Sequence, residues 1–564
     1  MAVKQQKRSK PLAVQPPLPQ RRSAIIAFLE RHSRVLALAL VALASARIVS
    51  TYTVFSPTSD EPAHIASGME WLDQHVYTWE PQHPPLARVA AALGPYLMAG
   101  HSQNTPRTSD IAFSIEGTAI LEKTGHFEEA LALARLGILP FFWVACIVVY
   151  IWGRRYFGAA TAVAAVFLFS FLPPVLAHAG LATTDMATTA FLGAAFLAGA
   201  LWLEEPTRAR AAWFGASTGL AVLSKFSVLA FFPASVAAAL LWYFLAEKPG
   251  VAASMASLRK RLPTFAMAVA IACVLIWAGY RFSFGKVYFA NIRLPAPELY
   301  QGIHDVAMHN AKGHAGFLLG QRTSLGSWDF FPVAIAVKTP LAFLALLGVG
   351  LALALRGRAS FRRPWLAIAF SGGILAVGMA SHINIGLRHV LPMYIGCAVL
   401  AGAGAVSLLE SASRRKWAAL LLAVLVAWMG LSSLLSHPDY LPYFNELAGS
   451  HPENILVDSD LDWGQDMKRL GARLRALGAH QLTYVPLFYT SYKEYGFPPV
   501  SDRMDVLNPQ PGWTAVSLTV LKQRRMGLWD TYPDVVPWPD RIPPTERVGK
   551  SILLWYFPEP GAAR

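Results

Sequence analysis

The stretch that decides the fold is residues 35–64, VLALALVALASARIVSTYTVFSPTSDEPAH. Its first part, residues 35–55, is an apolar run long enough to cross the hydrocarbon core of a bilayer as one helix. Two adjacent carboxylates, Asp60 and Glu61, follow shortly after the run ends. The stretch therefore predicts a transmembrane helix with acidic side chains at the membrane edge.

The rest of the chain repeats this apolar pattern. Of its 564 residues 54% are hydrophobic and only 15% are charged, whereas an average soluble domain carries about 25% charged residues. We therefore predict a polytopic α-helical membrane protein with about eleven transmembrane helices. The further apolar runs lie near 131–151, 159–177, 187–203, 212–229, 231–246, 264–280, 331–355, 365–380, 389–409 and 417–435.

The basic residues predict the orientation. The 49 Lys and Arg exceed the 34 Asp and Glu, for a formal charge of +15, and they cluster in every second connection. The positive-inside rule then places the N-terminus, with residues 1–34 as a basic tail, in the cytoplasm and the C-terminus outside. Because the positive charge is dispersed over loops rather than gathered on one face, we expect no nucleic-acid partner.

Three outer segments are too long to be simple connectors. Two of them, 56–129 and 281–330, interrupt a membrane domain over 35–435, and the third is the C-terminal part, 436–564. The third contains a strand-like run at 454–457, a helical pattern from Met467 to Leu477 and a β-rich run from Leu482 to Tyr489. This order predicts a small extracytoplasmic α/β domain.

Several acidic and polar residues of the outer segments are functional candidates. Asp60 and Glu61 suit a general base if a cleft desolvates them, although Asp60 could instead cap the following helix. His83 and Arg88 flank two prolines, which either aim these side chains or form an ordinary turn. Asp185 opens the fourth span as a cap or as a paired charge. Asp60, His83 and Asp185 are also candidate metal ligands, without a regular spacing.

Cations occupy positions inside apolar runs. Lys225, Lys338 and Arg388, the last followed by His389, lie far from the cytoplasmic clusters. Charges within membranes usually mark a path for an ion, a substrate or a lipid headgroup, although long side chains also extend to the headgroups without such a role. Cations near outward carboxylates fit an anionic substrate, and a lipid-linked phosphate is such an anion.

The chain resembles the membrane glycosyltransferases of the GT-C type, in the branch of protein O-mannosyltransferases and lipid A aminoarabinose transferases (bacterial glycosyltransferase family 39-like). Seven short motifs carry the resemblance in the order of the family and span residues 59–392. They are Ser59-Asp60-Glu61, His83-Pro84-Pro85-Leu86, Ala134-Arg135-Leu136, Thr184-Asp185-Met186, Ser224-Lys225-Phe226, Phe331-Pro332 through Lys338-Thr339-Pro340, and Gly386-Leu387-Arg388-His389 with Leu391-Pro392.

The resemblance implies a GT-C fold and an inverting transfer of a sugar from a polyprenyl-phosphate donor, in a bacterial inner or plasma membrane. It implies that Asp60 is the base that activates the acceptor and that Glu61 and Asp185 position the sugar or a divalent metal. Lys225 and Arg388 would hold the lipid phosphate, with Arg135 or Lys338 as further candidates, and His83, Arg88 and His389 would contact substrate. The acceptor is left open among a protein, a lipid and an envelope glycan. A transporter or flippase of a lipid-linked or anionic solute is the alternative.

The C-terminal part departs from the better-characterised members of the family, and the MIR domain that protein mannosyltransferases of the eukaryotic type carry in a loop is not recognisable in the sequence. Its distinctive run is Asp458-Ser459-Asp460-Leu461-Asp462-Trp463-Gly464-Gln465-Asp466. Alternating acids resemble the start of an EF-hand, but Trp463 occupies the required glycine position and Arg469 the position of the final glutamate, so we expect no calcium site. The aromatic residues Trp463, Tyr489, Tyr492 and Tyr495 either stack on a sugar or form a core.

Overall fold

A computed structural model describes residues 23–109, 111–248, 250–357, 363–413, 415–488, 490–523 and 536–559. Its helices are α1 Ala24–Arg31, α2 Ser33–Val49, α3 Glu61–Met69, α4 Pro85–Leu97, α5 Ala112–Lys123, α6 Phe127–Leu136, α7 Leu139–Tyr156, α8 Ala159–Ser170, α9 Pro173–Ala179, α10 Asp185–Glu204, α11 Arg208–Val222, α12 Val228–Glu247, α13 Val251–Gly279, α14 Pro297–Lys312, α15 Phe330–Lys338, α16 Leu341–Leu355, α17 Pro364–Met379, α18 Tyr394–Ala412, α19 Lys416–Leu435, α20 Met467–Ala476, α21 Leu518–Gln523 and α22 Trp538–Arg541. The strands are β1 Phe284–Val287, β2 Ile292–Pro295, β3 Gly316–Leu318, β4 Gln321–Thr323, β5 Leu482–Val485, β6 Val500–Ser501, β7 Gly512–Ser517, β8 Glu546–Val548 and β9 Ile552–Phe557.

The chain is an integral membrane protein with several apolar spans. Among the described residues, six helices are long and apolar enough to cross a membrane, or up to nine if each of three bent helix pairs is one span. The first predicted span is such a pair, α1 with α2, bent by 76°. Each of the other predicted apolar runs also coincides with a helix or a bent pair. Two of these helices are not among the nine candidate spans, namely α11 with 15 residues and α17 with 16. Residues 1–22 of the predicted basic tail, 1–34, lie outside the described residues. Most of residues 23–34 belong to α1.

The helices divide into a central one and peripheral ones. In an apolar 18-residue stretch of the span that contains α18, 94% of the residues are buried, whereas the figure is 11% in the corresponding stretch of the span of α13. Small residues explain the position of α18, since a side chain at Gly402 or Gly404 would collide with the backbone of α8 or α16. The exposed apolar side chains of α13 are those expected of a lipid-facing surface.

The C-terminal part forms a mixed sheet with the strand order β6-β5-β7-β9-β8. Strand β5 is parallel to β6 and β7, whereas β9 is antiparallel to β7 and β8. Residues of the sheet such as Leu482 and Leu554 belong to the same apolar cluster as the membrane helices. The predicted α/β character is therefore confirmed, and the sheet packs against the helical part.

Two details of the C-terminal prediction differ from the structure. The predicted strand at 454–457 is wrong, because short 3-10 turns at Pro452–Asn454 and Asp458–Asp460 flank it and Asp458 adopts a positive φ of 59°. Its apolar residues signalled burial, since Leu456 and Val457 are buried, but not an extended backbone. The β-rich run ends as a strand at Val485, and Tyr489 lies outside the described residues.

The segment 56–129 places a short buried helix, α3, beside α4 and α5. All nine residues of α3 are buried, and Pro62 lies in its first turn, where the missing N–H costs no hydrogen bond. Gly117 of α5 packs directly on the carbonyl group of Pro62, and a side chain there would overlap the carbonyl oxygen. The start of α3, which follows Asp60, is therefore held by close backbone packing.

The substitution Gly117→Ala is expected to destabilise the protein. The added methyl group must push α5 away from Pro62, and overpacking of this kind typically costs about 1–3 kcal/mol. The matched control is Gly348→Ala in α16, where no neighbouring atom would contact the new Cβ. The thermal midpoints of the purified proteins measure the difference, and equal midpoints for the two variants would contradict the packing argument.

Candidate functional site

Four charged side chains meet near the ends of membrane helices. Arg388 Nη1 donates to Asp60 Oδ2 at 2.9 Å and lies 3.6 Å from Asp185 Oδ2. Lys225 Nζ donates to Asp185 Oδ1 at 2.7 Å. The four residues come from separate parts of the chain, and together they form an alternating row of charges, Asp60–Arg388–Asp185–Lys225, which we call the ion row.

The two carboxylates of the ion row differ in exposure. The side chain of Asp60 is 28% exposed, whereas that of Asp185 is 1% exposed. Asp60 precedes α3, but its side chain makes no capping hydrogen bond to that helix. The capping interpretation of Asp60 is thus not realised: its carboxylate instead accepts from Arg388 and remains accessible to a reactant. Asp185 is enclosed between two cations, and it holds both of them in place.

Unpartnered polar atoms surround the ion row. His64 Nδ1 accepts from Arg88 Nε at 3.0 Å, so the ring proton must lie on Nε2. Within the described residues, His64 Nε2, His178 Nδ1, His389 Nε2 and Arg388 Nε are buried and have no hydrogen-bond partner. Because buried polar atoms are nearly always paired, such a set is typical of a site that binds a polar ligand.

The histidines near the ion row are uncharged at neutral pH where they lie outside the membrane helices. Burial and the charge of Lys225 lower the pKa of His83 to about 4. Burial and the neighbouring Arg88 hold the pKa of His64 well below its ordinary value. Both rings can therefore hydrogen-bond to hydroxyl groups without adding positive charge.

Arg88 contacts His64 and the surroundings of His83, and its hydrogen bonds do not go to residues of the ion row. It is 1% exposed and donates to His64, to the hydroxyl group of Tyr77 and to both the carbonyl and the carboxylate of Glu80. His83 Nδ1 lies 3.1 Å from the same Glu80 carboxylate. Arg88 and Glu80 thus fix the orientation of the two rings.

Glu61 is fully buried and engaged in a different interaction. Arg135 donates to both of its carboxylate oxygens, at 2.8 and 2.9 Å. The other donors of Arg135 bind the carbonyl groups of Tyr52, Phe55 and Ser56. Burial raises the pKa of Glu61, but the charge of Arg135 and the hydrogen bonds outweigh this effect, so its pKa lies below the ordinary value. Glu61 and Arg135 therefore neutralise one another beside the ion row.

Lys338 is likewise placed away from the ion row. Its ammonium group donates to the carbonyl group of Leu441 at 2.7 Å and to that of Asp460, and it lies 4.2 Å from the ring centre of Phe444. Lys338 thus binds the C-terminal part to α15. Of the four predicted phosphate ligands, the structure brings only Lys225 and Arg388 together.

The C-terminal part also reaches the ion row. The ring centre of Trp463 lies 4.1 Å from the guanidinium carbon of Arg388, and the ring makes an edge-to-face contact with His178. The sequence singled out Trp463 only as a sugar platform or core residue, and it did not select His64 or His178. Each of the three lies in a stretch that drew attention for its acids, so position along the chain was the available signal.

The predicted metal ligands do not form a metal site. Within the described ranges no group of three His, Cys, Asp or Glu side chains is arranged to hold a metal ion. Asp60 and Asp185 are already paired with Arg388 and Lys225, and His83 faces Glu80. These residues as arranged do not fit a divalent cation.

The substitution Glu61→Gln is expected to destabilise the protein strongly. It leaves the buried charge of Arg135 without a counter-ion, which typically costs about 3–5 kcal/mol. Asp60→Asn is the control, because its partly exposed carboxylate can be lost while Arg388 retains Asp185. Thermal unfolding in detergent compares the variants, and a Glu61→Gln protein as stable as Asp60→Asn would refute this assignment.

A second prediction concerns Asp462, a fully buried residue whose carboxylate accepts from Ser517, Thr519 and Gly464. Burial raises its pKa to about 6 despite these hydrogen bonds. The folded state then binds a proton that the unfolded state releases near pH 4, so stability falls as the pH rises from about 4 to 6, by at most about 1.4 kcal/mol per unit.

Asp462→Asn removes this titration. The thermal midpoint of the wild type should therefore fall relative to that of Asp462→Asn as the pH rises from 4 to 6. Above pH 7 the difference between the two midpoints should stay constant. The matched control is Asp502→Asn, at an exposed residue of the same part of the chain. A difference that does not change with pH would contradict the raised pKa.

The chain is similar to known proteins in part of its sequence and in its fold. Residues 128–280 match the family of dolichyl-phosphate-mannose-protein mannosyltransferases, and the matched segment contains Arg135, Asp185 and Lys225. No match is found among curated proteins.

Three solved structures are similar to the chain. ArnT from Cupriavidus metallidurans bound to undecaprenyl phosphate has a TM-score of 0.50 at 14% identity, over 92% of this chain and 97% of that one. Its apo state gives 0.49 at 15% identity, over 92% and 98%. The oligosaccharyltransferase AglB from Archaeoglobus fulgidus gives 0.42 at 13% identity, over 71% of this chain and 56% of that one. The predicted resemblance is thus confirmed: the chain has the fold of ArnT, and residues 128–280 carry the mannosyltransferase family match.

Proposed function

We propose that the protein transfers a sugar from a polyprenyl-phosphate-linked donor to a hydroxyl-bearing acceptor at the outer face of the membrane, with inversion of the anomeric centre. The ion row is the observation that carries the proposal. It places an accessible carboxylate, Asp60, beside the buried cation Arg388, and Asp185 links Arg388 to a second buried cation, Lys225. The mannosyltransferase family match over residues 128–280 supports the same chemistry.

Lys225 and Arg388 suit the phosphate of the donor. A guanidinium group binds phosphate through two parallel hydrogen bonds, and an ammonium group adds a compact charge. Arg388 Nε is buried and unpartnered within the described part of the chain, so it retains a donor for an incoming oxygen. The neutral rings of His64 and His83 suit the hydroxyl groups of the sugar.

Asp60 suits the role of general base. The acceptor hydroxyl oxygen bonds to the anomeric carbon while the bond from that carbon to the phosphate oxygen breaks. The hydroxyl proton passes to the Asp60 carboxylate, and the phosphate leaves on its lipid with its negative charge facing Arg388 and Lys225. The attack comes from the side opposite the phosphate, so the anomeric configuration inverts. Stabilisation of the leaving phosphate by fixed cations is commonly worth several kcal/mol.

The proposed orientation follows the charge pattern of the loops. Basic clusters in alternate connections favour a cytoplasmic N-terminus, which puts the segments 56–129, 281–330 and 436–564 outside. The ion row then faces the side where envelope acceptors are found. We propose residues 35–435 as the catalytic membrane domain, with the acceptor being a protein, a lipid or a glycan.

Asp60→Asn is expected to lower the transfer rate by about 10²–10⁴-fold, the usual contribution of a general base, and to leave donor binding largely unchanged. Lys225→Met is expected to weaken binding of undecaprenyl phosphate by about tenfold or more. Lys286→Met, at an exposed cation on β1, is the control. The assays measure transfer of radiolabelled sugar from a panel of polyprenyl-phosphate sugars to envelope extracts, and undecaprenyl phosphate binding by native mass spectrometry.

Unchanged transfer by Asp60→Asn would refute the proposed base. If the wild type binds the lipid phosphate but transfers no sugar from any donor, while proteoliposomes show flux of the lipid-linked solute, the transporter alternative would replace the proposal. A wild-type protein that neither binds nor moves the lipid would refute both.

A further inference from the structure

The run Asp458–Asp466, which we call the C-terminal clamp, lies against the chain on both sides of the ion row. On one side it pairs with the residues just before Asp60. Ser56 N donates to the carbonyl group of Gln465 at 3.1 Å, and Ser59 N donates to that of Trp463 at 3.0 Å. The position of the Asp60 backbone therefore depends on the clamp.

On its other side the clamp holds the residues just before Arg388. The Asp460 carboxylate accepts from the backbone N–H of Leu387 at 3.1 Å, and Ser459 Oγ donates to the carbonyl group of Ile385 at 2.6 Å. Ser459 also packs on Gly386, where a side chain would collide with its hydroxyl group. One short segment thus contacts the backbone just before Asp60 and the backbone just before Arg388.

The clamp is itself rigidly supported by the sheet. The Asp462 carboxylate accepts from Ser517 and Thr519, at the end of β7 and the start of α21. The Asp466 carboxylate accepts from Lys550 N and Ser551 Oγ beside β9, both at 2.9 Å. If the clamp moved relative to the sheet, these hydrogen bonds to buried carboxylates would break, so the sheet holds the clamp in position.

Trp463 is the residue of the clamp that meets the ion row. It is only 2% exposed, and the guanidinium group of Arg388 lies over its ring at 4.1 Å. A buried ring covered by a cation has no free face for a sugar. A cation held over an indole in a desolvated place is strongly oriented, because the ring attracts the cation through its face.

We propose that Trp463 is a positioning residue for the proposed reaction: it fixes the plane of Arg388, so that one edge of the guanidinium group meets Asp60 while Nε stays available to the donor phosphate. The C-terminal part thereby completes the reaction centre rather than serving as an accessory domain. This inference rests on the proposed transferase function and adds a residue outside the matched family segment, 128–280.

The test is a double-mutant cycle with Trp463→Leu and Arg388→Lys. In the wild-type background, Trp463→Leu is expected to raise the Kd of undecaprenyl phosphate and to lower kcat, each by about tenfold. Trp463→Phe should restore part of both, since a phenyl ring attracts cations less strongly than indole. In the Arg388→Lys background, Trp463→Leu should change either quantity by less than about twofold, because the group through which it acts is already altered.

Two controls separate positioning from general stability. Trp513→Leu, in β7 and packed against Tyr556, should leave Kd and kcat unchanged. Thermal midpoints identify any variant that fails to fold. If Trp463→Leu fails to fold, the double-mutant cycle of Trp463→Phe with Arg388→Lys tests the positioning role instead. Independent, multiplicative effects of the two substitutions, or wild-type values for Trp463→Leu, would overturn the inference. A wild type inactive in both assays would refute the underlying function instead.

Discussion

The buried ion pair of Glu61 and Arg135 is the constraint on which the site depends. All five guanidinium donors of Arg135 are used, two by the carboxylate of Glu61 and three by carbonyl groups of residues 52–56. The same carboxylate accepts from the backbone N–H of Ala182, three residues before Asp185. A buried charge is tolerated only when it is satisfied in this way. The pair therefore ties together the segments that carry the two acids of the ion row.

This pair separates two roles that adjacent acids cannot share. Asp60 and Glu61 are neighbours in the sequence, but the turn into α3 directs one side chain to Arg388 and the other to Arg135. Glu61 has no hydrogen-bonding capacity to spare for a reactant, whereas Asp60 is partly exposed. In the proposed reaction Asp60 is free to act because Glu61 is not.

The sequence predicted the membrane fold and the main members of the site, because both depend on local signals. Apolar length marks the spans, and a charge at a membrane edge is rare enough to mark Asp60, Asp185, Lys225 and Arg388. It could not assign partners. Arg135 and Lys338 look like Lys225 in the sequence, but long-range packing decides that they bind Glu61 and the C-terminal carbonyl groups.

The same limit explains the residues that sequence reasoning missed. His64 and His178 are unremarkable until α3 and α9 bring them beside Asp185 and Arg388. The predicted strand at 454–457 failed for a related reason, since an apolar run reports burial and not backbone conformation. A local sequence pattern thus indicates whether a residue is buried, whereas its interaction partners depend on contacts between segments that are distant in the sequence.

The continuity of the core gives the C-terminal part its significance. Leu482 and Leu554 of the sheet share one apolar cluster with residues of α10 and α18. Lys338 and Asn445 add hydrogen bonds between α15 and the chain after α19. A segment attached through a flexible linker could not hold Arg388 to the accuracy that the proposed phosphate binding needs, but one that shares the core of the membrane helices can. In this fold, the ends of the membrane helices and the turns beside them carry the four charges, and hydrogen bonds link the C-terminal part to the chain next to two of them, Asp60 and Arg388.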